Sequence, residues 1–324
     1  MYARTALSRL LILVLVALTF VVAACGQQAA APVAQPQAAA QQPAAPAQQP
    51  AAPAQAQPAA PAKADLSATV TKYISTLPDG FNGIAPAKAK EQMDAAKPFI
   101  LDVREAKELA DNGFIAGAVN IPVRTLLKNL DKLPSDKNAP ILVYCAVGHR
   151  GALALGALNM LGYTNAKSIS GGFNAWKDAG LPVATGTPDA PKAGTAAQVD
   201  AELVAALDKY LSGLPDGFSG VAPDKAKEQM GATKVFILDV REPKELADNG
   251  KIEGAVNIPL RDVVKNLDKL PTDKSAPIIV YCAIGHRGGL ALQALNLLGY
   301  TNVKSISGGF NAWKKANLPT VAGS

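Results

Sequence analysis

From Lys72 onward the chain alternates short apolar runs with mixed, helix-length stretches. Phe99-Ile100-Leu101-Asp102-Val103, Ala118-Val119-Asn120-Ile121, Ile141-Leu142-Val143-Tyr144 and Ser168-Ile169 are too short for helices and read as buried strands. Between them, residues 87–96 after Pro86 and 105–112 before Gly113 read as helices. Residues 151–161 predict a helix apolar nearly all round, and therefore buried, and a last helix carries Trp176 after Gly171-Gly172. Continuously apolar strands alternating with helices predict an α/β fold, a mainly parallel sheet flanked by helices on both faces. Ligands in such sheets bind at the carboxyl ends of strands, and the most apolar strand runs straight into Cys145.

The pattern occurs twice. Residues 72–182 align without a gap on 209–319, with 86 of 111 positions identical. The only two histidines (His149, His286), the only two tryptophans (Trp176, Trp313) and two of three cysteines (Cys145, Cys282) recur at one offset of 137 residues. Tandem domains over 65–182 and 201–324 follow, with 183–200, rich in Gly, Pro, Ala and Thr, as a linker.

The first 64 residues have another character. Arg4 and Arg9 precede residues 10–22, which are apolar apart from Thr19 and fall short of the ~20 residues of a spanning helix. The run ends in Val22-Ala23-Ala24-Cys25-Gly26, which resembles a bacterial lipobox. That resemblance implies removal of a signal peptide over 1–24, lipidation of Cys25 and an extracytoplasmic protein anchored to a bacterial membrane. An ordinary cleaved signal and an uncleaved anchor are the alternatives. Residues 25–64, almost wholly Ala, Pro and Gln, read as a disordered, extended spacer. The 32 Lys and Arg against 26 Asp and Glu give +6, and without Arg4 and Arg9 the balance is 30 − 26 = +4. With no basic block or basic-aromatic stripe, nucleic acid is not an expected partner. One Cys and one His per domain are too few to ligate a metal, and no cofactor is implied.

The segment Cys145-Ala146-Val147-Gly148-His149-Arg150 recurs as Cys282-Ala283-Ile284-Gly285-His286-Arg287, each between a buried strand and a helix start. Gly148 and Gly285 permit a turn that curls successive N–H groups inward as an anion-favouring nest. A helix beginning near Gly151 adds unpaired N–H groups at the same point. Such a ring stabilises an anionic sulfur. The alternatives are a buried strand-end thiol and a disulfide between the two, which needs Cα atoms within ~7 Å. Arg150 and Arg287 either guide an anionic donor or brace the loop against a carboxylate such as Asp102 or Asp239. His149 and His286 either bind donor oxygens, tune the thiolate or face solvent. Asp102 with Arg104, and Asp239 with Arg241, are expected to fix a strand end rather than touch substrate, and the tryptophans are core with their N–H bonded nearby.

Asp102-Val103-Arg104-Glu105, Gly117-Ala118-Val119-Asn120-Ile121-Pro122, the Cys-x-x-Gly-x-Arg loop and Gly171-Gly172-Phe173-Asn174-Ala175-Trp176 resemble, in order, the four signatures of the rhodanese family, and they repeat from Asp239, Gly254, Cys282 and Gly308. The resemblance implies sulfurtransferase chemistry with Cys145 and Cys282 as nucleophiles. The amides of 146–150 and 283–287 would line the cup around a persulfide. The donor would be a small sulfur compound such as thiosulfate, and the acceptor a thiol, cyanide or a protein. Four residues between Cys and Arg, against five in the related cell-cycle phosphatases, disfavour phosphate as the guest. The chain departs from the family pattern in keeping the cysteine in both copies, in Phe114 and Lys251 where members often carry His, and in Gly151 and Gly288 where a hydroxyl residue commonly follows the Arg. A non-catalytic module binding sulfur species or a protein, and a thiol redox relay, are the alternative functions.

Overall fold

The computed structural model describes residues 65–323; Cys25 and the Ala/Pro/Gln spacer lie outside the described residues. The first domain comprises α1 (Leu66–Ser75), β1 (Gly83–Ile84), α2 (Pro86–Ala96), β2 (Phe99–Asp102), α3 (Ala106–Asn112), β3 (Ala118–Asn120), a 3-10 segment (Val123–Lys132), β4 (Ile141–Tyr144), α4 (His149–Met160), β5 (Ala166–Ile169) and α5 (Gly172–Asp178). The second repeats the order with α6 (Ala201–Ser212), β6 (Gly220–Val221), α7 (Pro223–Ala232), β7 (Phe236–Asp239), α8 (Pro243–Asn249), β8 (Val256–Asn257), 3-10 turns beginning with Leu260–Lys265, β9 (Ile278–Tyr281), α9 (His286–Leu297), β10 (Val303–Ile306) and α10 (Gly309–Lys315). Each sheet is five-stranded and parallel, in the orders β1-β5-β4-β2-β3 and β6-β10-β9-β7-β8. The chain runs outward from β2 to β3 and, on the other side, from β4 to β5. The order therefore reverses between β2 and β4, where ligands of open α/β sheets bind. Register pairs Phe99 with Ile141 and Asp102 with Tyr144, so Asp102 and Cys145 leave the sheet side by side.

The all-round apolar character of α4 has its cause in the second domain. Residues from Gly151 to Leu158 are all buried because α4 lies between its own sheet and α9. The close crossing also explains two places where the copies differ. A Cβ on Gly289 would come 3.1 Å from Cβ of Ala152. A Cβ on Gly156 would meet the Gln293 amide, whose nitrogen donates to the Leu153 carbonyl at 2.9 Å. Gly156 gives room to the larger Gln293, and Gly289 lets Ala152 approach closely, so the two helices pack without voids.

The leading helices are exchanged. α1 packs on the 3-10 turn at Leu260–Lys265 of the second domain, and α6 packs on Val123–Lys132 of the first. Val70 and Ile74 from α1, with Leu207 and Leu211 from α6, enter one core that contains the inner faces of both sheets. The outer faces have separate cores around Trp176 and Trp313. Both indoles are 1% exposed, and each N–H donates at 2.8 Å, to the carbonyls of Pro182 and Pro319. Phe114 exchanges backbone hydrogen bonds of 2.9 and 2.8 Å with Ala184, pinning the start of the 183–200 segment to the first domain.

Candidate active site

Two motifs far apart in sequence build the cup around each cysteine. The Gly148 N–H donates to the Cys145 sulfur at 3.1 Å, and the Gly285 N–H to the Cys282 sulfur at 3.1 Å. The amides of Ala146, Val147, His149 and Arg150 have no hydrogen-bond partner among the described residues. Their orientation is set from outside. The first amides of α5 pull the loop carbonyls away from the sulfur, Phe173 N–H to Cys145 O at 2.7 Å and Asn174 N–H to Ala146 O at 2.9 Å. A peptide whose carbonyl is held outward presents its N–H on the opposite side, because the unit is planar. Gly172 makes this approach possible: a Cβ there would strike the Cys145 carbonyl and lie 2.8 Å from the Ala146 carbonyl, at a φ of +61°.

Gly148 reverses the chain within one residue at φ 92° and itself caps α4, which begins at His149 rather than near Gly151. His149 and Arg150 thus belong to the first helical turn, whose N–H groups have no intrahelical acceptor. Both cysteines are free and fully buried. Cys282 lines a cleft of about 370 Å³ with Ala283, Ile284 and Arg287. The cleft of about 320 Å³ beside the first loop is lined by Val147, His149 and Arg150, and not by Cys145 itself.

The expected brace on Arg150 exists, but its partner is Glu108, not Asp102. The guanidinium binds Glu108 at 2.5 and 2.6 Å, and Arg287 binds Glu245 at 2.6 and 2.6 Å. Asp102 is already committed: its carboxylate takes the Arg104 amide at 3.0 Å and the Arg104 guanidinium at 2.6 to 3.1 Å. Arg104 also donates to the Gly113 carbonyl at 2.9 Å and stacks 4.2 Å over the Phe173 ring, tying the strand end to α5. Asp239 and Arg241 repeat the arrangement. Burial raises the Glu108 carboxyl, but hydrogen bonds from Arg150 and the Glu105 backbone outweigh it and hold the group below its ordinary value. Burial likewise lowers the Arg150 guanidinium, and Glu108 with the Cys145 sulfur more than offset it. Glu108 and Glu245 went unnoticed in the sequence, although each stands three residues after the acid of a capping box.

His149 and His286 do not face solvent. Each is 5% exposed, and each bonds across the domain boundary, His149 Nε2 to the Phe218 carbonyl and His286 Nε2 to the Phe81 carbonyl, both at 2.9 Å. A carbonyl only accepts, so Nε2 carries the proton. Burial pushes both imidazoles below their ordinary pKa, and the carbonyl only partly opposes this. Each therefore bridges the two domains through Nε2, while its ring also lines the cleft beside its own loop.

Each cysteine thus stands at the switch point of a parallel sheet with one loop amide aimed at its sulfur. The Rhodanese-like domain family matches residues 85–179 and 222–316, and the chain belongs to that family. It is 40% identical to the uncharacterized protein YqhL of Bacillus subtilis over 26% of this chain and 64% of that one. The chain thus spans less than two thirds of that relative's length. It is 34% identical to the thiosulfate sulfurtransferase PspE of Escherichia coli over 26% of this chain and 78% of that one. Among solved structures, SseA, a 3-mercaptopyruvate sulfotransferase of Escherichia coli, is 20% identical over 70% of this chain and 98% of its own, with a TM-score of 0.33.

Proposed function

We propose that the protein is a sulfurtransferase in which Cys145 and Cys282 each accept a sulfane sulfur and hand it to a thiophilic acceptor. The observation that carries this reading is the inward N–H donated to each sulfur, from Gly148 and from Gly285, at 3.1 Å. The thiolate attacks the outer sulfur of the donor, the donor's bond to that sulfur breaks with its electron pair, and a cysteine persulfide remains. The unpaired amides of the loop then hydrogen-bond the terminal sulfur, as preorganised donors stabilise a developing anion. A thiol or cyanide removes that sulfur and regenerates the thiolate. Arg150 and Arg287, being committed to Glu108 and Glu245, hold the cup in shape.

Thiocyanate release from a sulfane donor and cyanide tests the reading in Cys145→Ser, Cys282→Ser and the double variant. Partial activity in each single variant and none in the double is expected. Activity surviving in the double variant overturns the proposal, and its complete loss from either single change favours a relay between the two thiols. By its lipobox resemblance, Cys25 would hold the protein at a bacterial membrane on a spacer over 25–64. Cys25→Ser should then move the protein from the membrane fraction to the soluble one.

A further inference from the structure

Each cysteine cup is finished by residues of the other domain. The Pro78-Asp79-Gly80-Phe81-Asn82 turn after α1 reaches the Cys282 cup, and the matching turn at 215–219 reaches the Cys145 cup. These turns are strained. Gly80, Phe81 and Asn82 have φ of 77°, 55° and 54°, and Gly217, Phe218 and Ser219 have 79°, 56° and 57°. Two successive non-glycine residues in the left-handed region cost free energy that the surroundings must offset, and such strain gathers at functional sites. Here the offset comes from the opposite domain. Arg261 donates to the Leu77 carbonyl at 2.7 Å and to Asp79 at 2.8 Å, and its guanidinium stacks 4.7 Å over the Phe81 ring. Arg287, the last residue of the cup, lies 5.2 Å over the same ring. Phe218 sits likewise near Arg124 at 4.3 Å and Arg150 at 4.8 Å.

The charges around the Cys282 cleft point to what it admits. Its one arginine, Arg287, is spoken for by Glu245. Glu242 also lines the cleft, with one buried carboxylate oxygen unpartnered. One cation therefore faces two carboxylates, Glu242 and Glu245, before the thiolate's own charge is added. Beside Ser170 and His286, the rest of the wall is apolar, from Phe81, Ala283 and Ile284, the last 37% exposed. A dianion such as thiosulfate meets like charge at this mouth, whereas an apolar organic group finds an aromatic wall.

We propose that Phe81 and Phe218 are specificity-determining residues supplied across the domain interface, Phe81 to Cys282 and Phe218 to Cys145. They select sulfane sulfur borne on an apolar organic carrier, an organic persulfide, over thiosulfate. The inference rests on the sulfurtransferase reading. The step is Cys–S⁻ + R–S–SH → Cys–S–SH + R–S⁻: the thiolate bonds to the outer sulfur, the S–S bond breaks, and its electron pair leaves on the carrier thiolate. No oxidant or reductant is needed, and R lies against the ring while only the outer sulfur enters the cup.

Sulfur loading is measured by intact mass with benzyl persulfide and with thiosulfate, in Cys145→Ser, where only Cys282 reacts, and in Cys282→Ser, where only Cys145 reacts. Each parent should load from benzyl persulfide about tenfold faster than from thiosulfate, the scale of an apolar pocket's discrimination. Phe81→Ala should erase that preference at Cys282 and keep it at Cys145, and Phe218→Ala should do the reverse. Loading of the thiol remote from each substitution reports that the chain is folded, and Phe81→Leu, which keeps an apolar wall, should retain most of the preference. Loss at Cys145 on Phe81→Ala, or a thiosulfate preference in the parents, overturns the inference while leaving sulfur transfer standing. Failure of either thiol to load from either donor overturns the sulfurtransferase reading itself.

Discussion

Gly172→Ala isolates the contact that orients the cup. Its added Cβ would collide with the Cys145 carbonyl and lie 2.8 Å from the Ala146 carbonyl, all backbone atoms without a rotamer to yield. The residue also sits at φ +61°, which costs an L residue about 1–2 kcal/mol. Crowding a packed site adds about 1–3 kcal/mol, so domain 1 should lose about 2–5 kcal/mol, or relieve it by letting α5 retreat from the loop. Gly180 supplies the control, because it has φ +68° and open space where a Cβ would stand. Gly180→Ala should therefore show the backbone strain alone. In a Cys282→Ser background, denaturant unfolding and the rate of sulfur loading on Cys145 are measured for both. Gly172→Ala should unfold at lower denaturant than Gly180→Ala and load about 100-fold more slowly, the scale of losing one preorganised donor. Loading at the parent's rate, with stability no lower than that of Gly180→Ala, would refute the role given to α5.

The buried Asp102–Arg104 pair, with side chains 0% and 2% exposed, should make Asp102→Asn costly by about 3–5 kcal/mol, since an uncompensated guanidinium remains; denaturant titration measures it. His149 and His286 have folded pKa values below the ordinary 6.5. The unfolded chain therefore binds protons first, and stability present above pH 6.5 should fall as pH drops below it. His149→Gln with His286→Gln, which can still donate to the Phe carbonyls, should flatten that limb of a pH–stability curve. Glu108 and Glu245 are depressed below 4.5, so their contribution holds above that pH and disappears below it, and Glu108→Gln with Glu245→Gln should flatten the acid limb.

The strands and helices were legible because each domain buries a sheet on both faces, which writes continuous apolar runs into β2 and β4. The turn of the loop was legible too, since Gly148 between a strand and a helix predicts the positive φ of 92° that it adopts. What could not be read was tertiary pairing. Nothing local distinguishes Glu108 from Asp102 as the partner of Arg150; the choice follows from Asp102 being saturated by Arg104. The histidines were ambiguous for a similar reason. Their burial comes from a turn about 70 residues away for His149 and from the preceding domain for His286. The exchange of α1 and α6 was likewise hidden, because an amphipathic helix states that it has an apolar face and not which domain covers it.

Intact-mass spectrometry after brief exposure to a sulfane donor tests the central claim most directly. Wild type should gain two adducts of about 32 Da, one per cysteine cup, each lost on adding a thiol or cyanide, and each single Cys→Ser variant should gain one. A wild-type mass that stays unchanged, or an adduct that persists in Cys145→Ser with Cys282→Ser, would contradict it.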